Sequence, residues 1–407
     1  MLNNLGDNLS FTLTVTQPFD SHAIFVSAIL DLLKHPNDVV ISDTILRDGG
    51  FSMGIGDENR LTVREQDIDL NLTAITSLWN RRRLVKPYPP EDAEPVDLPF
   101  LESCAFSFSK SIHTLSEECF AVNSSSAILR ASDKARQLRL AKRHGLRIPD
   151  TLISNDYERI AAFVRHHDRV CAKTFHNANW RTDEALLASF TAIVEADDLR
   201  DRRSIEIAPM IYQEFISKEF EVRVTVFGDY CCATRINSKR SNDDQMDWRM
   251  GKAFIYDLED TTIPDDLLHR LKGVMHDLGI RFGTFDLAFN SEKGWVFFEV
   301  NESGQFLWQE EFSPTSLVLE PFARFLISED ENFTFNRAKA SNELSMSSVL
   351  RRVRELRMYQ RVCGMGLIPP GASDVYDERP TDAHRRGALL LDTSPRQREK
   401  SPSPSPS

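Results

Sequence analysis

The sequence lacks any apolar run approaching the roughly 18 residues that a membrane-spanning helix needs, so no bilayer-spanning segment and no membrane partner are expected. It opens on acidic and polar residues where a secretory signal would place a basic start and an apolar stretch. Cytoplasm is therefore the expected location. Cysteine is sparse: Cys104, Cys119, Cys171, Cys231, Cys232 and Cys363 form no CxxC pair and no zinc-type spacing with histidine. They read as reduced, mostly buried thiols. Basic charge is in deficit, with 49 Lys and Arg against 61 Asp and Glu and a formal charge of -12. That balance disfavours nucleic acid as a partner. Neither Arg81–Arg83 nor the later arginines carry the interleaved aromatics of a stacking platform.

What is present is a globular composition, 41% hydrophobic and 27% charged over 407 residues, enough for two or three domains. Residues 1–125 read as a small α/β domain: a strand at Phe11–Val15, a helix capped by Asp20 or Ser21, and strands at Val39–Ile41 and Thr73–Trp79. Residues 126–212 form a central segment. In it DKARQLRLAKRH reads as a helix stopped at Gly145, followed by strands TLIS, Val170–Thr174 and Met210–Ile216, with a helix expected at Asp183–Glu195. Residues 213–330 read as α+β, with one hairpin turning at Gly228 and Asp229, a helix at Asp265–Gly279, and a second hairpin in FGTFDLAFNSEKGWVFFEVN. Residues 331–407 hold 13 basic and 9 acidic residues, against the acidic excess before them. Within this tail VLRRVRELRMYQR (349–361) reads as a basic helix, packed or solvated, and the Pro-Ser repeats of 395–407 as disordered.

The second hairpin carries the chemistry. Strand alternation puts Trp295, Phe297, Glu299 and Asn301 on one face, with Glu299 and Asn301 roughly 7 Å apart at the backbone. The return strand brings Asp286 beside Glu299. Two carboxylates and an amide suit Mg²⁺, a hard cation that prefers oxygen. Spacing alone favours a half-exposed hairpin whose polar face is simply wet. Lys173 stands in the apolar strand VCAKTF, where a bare lysine is unusual, and it could hold a phosphate oxygen. Glu221 and Arg223 share a face, Arg235 lies on the return strand and Arg249 follows in MDWRMGK. Each arginine by itself reads first as a surface ion pair.

Taken in order, IYQEFISKEFEVRVTVFGD, MDWR and LGIRFGTFDLAFNSEKGWVFFEVNESGQFLW, with ASDKARQLRLAKRHGLRIPDTLIS and SLWNRRR before them, resemble the ATP-grasp ligases. Within these they are most similar to the macrocyclases of microviridin-type graspetides, over about residues 11–327. The resemblance implies a three-lobed ATP-grasp fold, α/β and α+β, with a pre-ATP-grasp domain at 1–125, ATP-grasp subdomains at 126–212 and 213–330, and the tail beyond. It implies ATP and Mg²⁺ as cofactors. Asp286, Glu299 and Asn301 become metal ligands and Lys173 a phosphate ligand. Gln213, Glu214, Phe215 and Ile216 become a hinge strand reading adenine, with Glu221 a further nucleotide contact. Arg249, Arg235 and Arg223 become the clamp on the transferring phosphoryl group.

The implied activity is conversion of Asp or Glu side chains of a ribosomal precursor peptide, leader plus acidic core, to acyl phosphates that close esters with Ser/Thr or amides with Lys. Arg81, Arg82 and Arg83 are candidates to line a cationic peptide site, or form a solvated basic turn. A homodimer is one assembly this reading admits. Two other readings stand beside it: a ligase adding an amino acid to a protein terminus or small carboxylate, and a binding module that holds peptide without turnover.

Overall fold

The computed structural model describes residues 10–18, 20–84, 87–175, 179–181, 186–188, 191–237, 258–352, 355, 357, 359 and 360. The chain divides into two compact units, Met1–Asp150 with Ile216–Pro370, and Thr151–Phe215 with Gly371–Ser407.

The first unit opens with β1 (Thr12–Thr16), α1 (Ser21–Leu32) and β2 (Asn37–Ile41). Of the two cap candidates it is Asp20 whose side chain accepts the His22 amide and starts α1. A meander of β3 (Phe51–Met53), β4 (Arg60–Val63) and β5 (Ile68–Asn71) leads to β6 (Ser77–Asn80), α2 (Leu98–Thr114) and β7 (Phe120–Val122). The strand expected from Thr73 starts only at Ser77, because Asn71 caps a 3-10 turn at Leu72–Ala74. The sheet runs β2-β1-β6-β7 with all pairs parallel. Chain order reverses direction between β1 and β6, which makes their carboxyl ends a crevice of the kind where α/β sheets hold ligands. After α3 (Ser125–Ala131) comes α4 (Lys134–Arg143), capped by Asp133 and ended by Gly145 at φ +74°.

The second unit contains β8 (Thr151–Ser154), α5 (Tyr157–His166), β9 (Val170–Lys173), β10 (Asn179–Arg181), β11 (Leu186–Ala188), β12 (Ala192–Ile193), α6 (Arg202–Glu206) and β13 (Met210–Glu214). Its sheet is ordered β12-β9-β13-β8, with Ile160, Val170 and Tyr212 in the core. The helix expected at Asp183–Glu195 is not there among the described residues. Leu186–Ala188 pairs with β10, and Ala192 and Ile193 lie against Ala172 and Cys171. Strand pairing, with a neighbouring strand for 186–188 and with β9 for 192 and 193, overrides the helical pattern.

The first unit resumes with β14 (Phe220–Phe227), β15 (Tyr230–Ile236), β16 (Leu258–Thr261), α7 (Asp265–Leu278), β17 (Phe282–Asn290) and β18 (Gly294–Asn301), then α8 (Leu307–Phe312), α9 (Leu319–Ser328) and α10 (Met346–Arg352). The five strands form an antiparallel sheet ordered β16-β15-β14-β17-β18. One face buries Val222, Val224, Phe285, Leu287, Phe297 and Val300 against Leu138 of α4 and Leu271, Val274 and Leu278 of α7. On the other face Phe227 and Phe282 pack edge-on to Phe322 of α9, and Trp79 of β6 meets the same ring at 4.9 Å. The parallel sheet is thereby fixed to the antiparallel one. Met346 and Val349 of α10 are buried while Arg351 and Arg352 are exposed, and Arg357 Nη2 donates to the Asn37 carbonyl at 2.9 Å. Residues 361–407, with the disorder expected at 395–407, lie outside the described residues. Among the described residues no helix is long and apolar enough to cross a membrane.

Candidate functional site

Strict alternation along β18 predicts Phe297 and Glu299 on one face. The structure separates them. Asp286 pairs with Glu299 and Leu287 with Phe297, so Phe298 has no opposite number and forms a bulge. One extra residue reverses the phase, sending Phe297 into the core and leaving Glu299 with Asn301 on the other face. There Asn301 Nδ2 donates to Glu299 Oε1 at 3.1 Å and to Asp286 Oδ2 at 3.4 Å. All three side chains converge, and the two carboxylates are 20% and 25% exposed.

Each carboxylate already has a cation. Arg223, opposite Asp286 in the ladder, donates Nη1 to Asp286 Oδ1 and Nη2 to the Gln305 carbonyl at 3.3 Å. Lys134 Nζ reaches Glu299 Oε2 at 2.8 Å. The sequence reading missed Lys134. A signal was available, since a lysine in the first turn of a helix opposes the helix dipole and needs another reason to be there. Behind Arg223, the fully buried Gln309 of α8 donates to the Arg223 carbonyl at 3.2 Å and to Thr234 Oγ1 at 2.9 Å.

The remaining candidates are placed as follows. Glu221 lies on the same face, buried, in an ion pair with Lys218 at 2.5 Å. Arg235 pairs across from Val222 and so points to the opposite, core-facing side, its guanidinium 4.1 Å from the centre of the Phe220 ring. It is not brought to the carboxylate cluster. In the second unit Lys173 closes β9, half-buried, opposite Ile211. The strand expected to run to Ile216 ends at Glu214; Gln213 is buried and bonded to Thr151 Oγ1 at 2.9 Å. β13 is paired on both sides, and the Phe215 amide donates to the Arg169 carbonyl at 2.9 Å. Ile216 is buried. Arg249 and its Asp-Trp-Arg element lie outside the described residues.

Of the three consecutive arginines, Arg81 does not line an open surface. Its side chain is 1% exposed and lies 3.0 Å from Asp20 Oδ2. Arg82 is half-buried and Arg83 exposed. Desolvation brings Arg81 down to about 10 despite the Asp20 carboxylate. Burial would raise Asp20, but Arg81 and its other neighbours outweigh it and hold the carboxyl below its usual range. Burial and Arg81 push His22 well below its usual value, so the imidazole is neutral.

Chemically, two carboxylates and a carboxamide, half-exposed on one face, fit a hard divalent cation such as Mg²⁺. Among the described residues no group of three or more His, Cys, Asp or Glu is placed to hold a metal ion.

No protein-family model matches the sequence, and no curated protein matches it. Solved structures do. A RiPP-associated ATP-grasp ligase from Chryseobacterium gregarium, in complex with ADP and a leader and core peptide, has 22% identity and a TM-score of 0.68 over 79% of this chain and 96% of its own. The macrocyclase MdnC from Microcystis aeruginosa MRC, bound with precursor peptide MdnA, has 22% identity and a TM-score of 0.67 over 78% and 99%. The ATP-grasp ligase PsnB, complexed with a phosphomimetic variant of a minimal precursor, Mg and ADP, has 22% identity and a TM-score of 0.60 over 79% and 99%. The α/β and α+β architecture expected from the sequence is thus the ATP-grasp fold, in the form these RiPP-associated ligases and macrocyclases share.

Proposed function

We propose that this chain is an ATP-dependent ligase that activates Asp or Glu side chains of a ribosomal precursor peptide as acyl phosphates and closes ester or amide rings. The observation that carries the reading is the convergence of Asp286, Glu299 and Asn301, with Arg223 beside them, on one face of an ATP-grasp sheet. Peptide and nucleotide in the solved structures of the same fold support it.

A carboxylate is a poor electrophile because its charge repels nucleophiles. Attack of its oxygen on the γ-phosphorus of ATP releases ADP and gives an acyl phosphate. A Ser/Thr hydroxyl or Lys amine of the same peptide then attacks the acyl carbon, loses its proton and expels phosphate. Asp286, Glu299 and Asn301 would hold Mg²⁺, which supplies neutralisation of the phosphate charge. Arg223, fixed between Asp286 and the Gln305 carbonyl, presents a preorganised cation where charge gathers on the phosphoryl oxygens. Lys173 is assigned to the phosphates, Gln213–Ile216 to adenine, Glu221 to the nucleotide, and Arg249 to the phosphoryl clamp. Arg235 is left out of the clamp, since it occupies the other face.

The test is incubation of the full chain with Mg·ATP and a short Asp/Glu- and Thr/Ser/Lys-bearing peptide encoded beside it, reading ADP and peptide mass. Loss of one water per ring is expected. A mass gain of one amino acid would instead favour terminal ligation, and peptide binding without ADP would mark a module without turnover.

A further inference from the structure

The crevice at the carboxyl ends of β1 and β6 is filled by the chain itself. Residues 302–307, which continue directly from Asn301, cross it, and each has a main-chain group taken by a side chain. Asn123 Nδ2 donates to the Glu302 carbonyl at 2.8 Å. Arg81 Nη1 donates to the carbonyls of Ser303 (2.5 Å) and Gly304 (3.2 Å), and Arg82 Nη1 to Ser303 at 3.3 Å. The Gln305 carbonyl accepts from Arg223. His22 Nε2 accepts the amides of Phe306 at 2.9 Å and Leu307 at 3.3 Å, at the start of α8. Asp20 ties the holders together, ion-paired to Arg81 and accepting from Thr16 Oγ1 at 2.7 Å.

Surface loops usually give their backbone groups to water. This one gives them to a buried arginine, and a buried arginine is stabilising only when paired and fully bonded. The segment is pressed from below as well: a Cβ at Gly304 would overlap Thr284 Oγ1, and Thr284 pairs with Asn301 in the ladder. One end of the loop therefore carries Asn301 and its middle holds Arg223.

Resting on the metal and phosphoryl reading above, we propose that Asp20, Arg81 and His22 are positioning residues for Asn301, Asp286 and Arg223, acting through the main chain of residues 302–307. Outer-shell groups of this kind commonly change metal affinity or turnover by about 10- to 100-fold.

The experiment compares two variants with the wild-type full chain. Asp20→Asn/Arg81→Met removes both charges together, so neither is left buried alone, and Gly304→Ala displaces the loop from the other side without touching the charges. Circular dichroism establishes folding. Mn²⁺ affinity in the presence of ADP is measured by electron paramagnetic resonance, and amide exchange across 302–307 by mass spectrometry. We expect Mn²⁺ affinity to weaken about tenfold or more, faster exchange at Phe306 and Leu307, and half-saturating Mg²⁺ to rise while the KM for peptide holds. If either folded variant binds Mn²⁺ as the wild type does, the positioning role is wrong. Glu299→Gln in the same assay separates the two ideas: if it too leaves Mn²⁺ binding intact, the metal reading has failed and takes this inference with it.

Discussion

Asp286 and Glu299 stand directly opposite one another across the β17–β18 hairpin, yet each is paired to a different cation, Arg223 from the neighbouring strand and Lys134 from a helix N-terminus. The two pairs differ in burial, and so the two carboxylates should respond differently to neutralisation.

Both Asp286→Asn and Glu299→Gln should lower ADP formation by on the order of 10²-fold or more. Only the first should be markedly unstable. Arg223 is 7% exposed, so its unpaired guanidinium costs about 3 kcal/mol. Lys134 is 20% exposed and can turn to solvent, for a loss within about 1 kcal/mol. Urea midpoints of the two proteins measure this, and the reverse order would contradict the pairing.

Lys134 competes with any cation for Glu299. Lys134→Met should therefore strengthen nucleotide-free Mn²⁺ binding by roughly 3- to 10-fold, as removal of a unit charge near a half-exposed site implies. An unchanged affinity in a calorimetric titration would show that the ammonium does not compete.

The three consecutive arginines should divide by burial. Arg83→Ala should leave stability within about 0.5 kcal/mol and raise the KM for an acidic peptide without lowering kcat. Arg81→Ala should cost about 3 kcal/mol or more, because it strands the buried Asp20. Thermal melts alongside peptide titrations distinguish the two; a neutral Arg81→Ala would show that its burial has little energetic weight.

Asp43 gives a pH signature. Burial raises its carboxyl to about 7, only partly offset by the Ser42 hydroxyl. The unfolded chain loses that proton first, near pH 4. Its contribution to stability therefore falls as pH rises from about 4 to about 7, and is level above. Asp43→Asn should raise Tm at pH 8 and leave it unchanged at pH 4. Equal Tm values at pH 8 would mean the carboxyl is not held in its neutral form.

Much of the site's placement was legible beforehand. The hairpin around Ser291–Gly294, the helix Asp265–Leu278 ending at Gly279 and the helix between Asp133 and Gly145 were all visible, since caps and tight turns act over a few residues. The nearness of Asp286, Glu299 and Asn301 followed from the hairpin alone. The bulge at Phe298 did not: Phe297, Phe298 and Glu299 read as plain alternation until the facing strand shows which residue is skipped.

The amino-acid sequence by itself determined where the capped helices and tight turns lie and which acids share the second hairpin, because backbone dihedrals and neighbouring hydrogen bonds settle those locally. Tertiary structure alone decided that Arg81 is a buried clamp, that Arg235 faces the core, and that residues 186–188, 192 and 193 are strand. Arg81, Arg235 and residues 192 and 193 depend on partners more than ten residues away, and 186–188 on a neighbouring strand that must itself form. Burial and cross-strand pairing are properties of the assembled chain, and no short stretch of residues contains them.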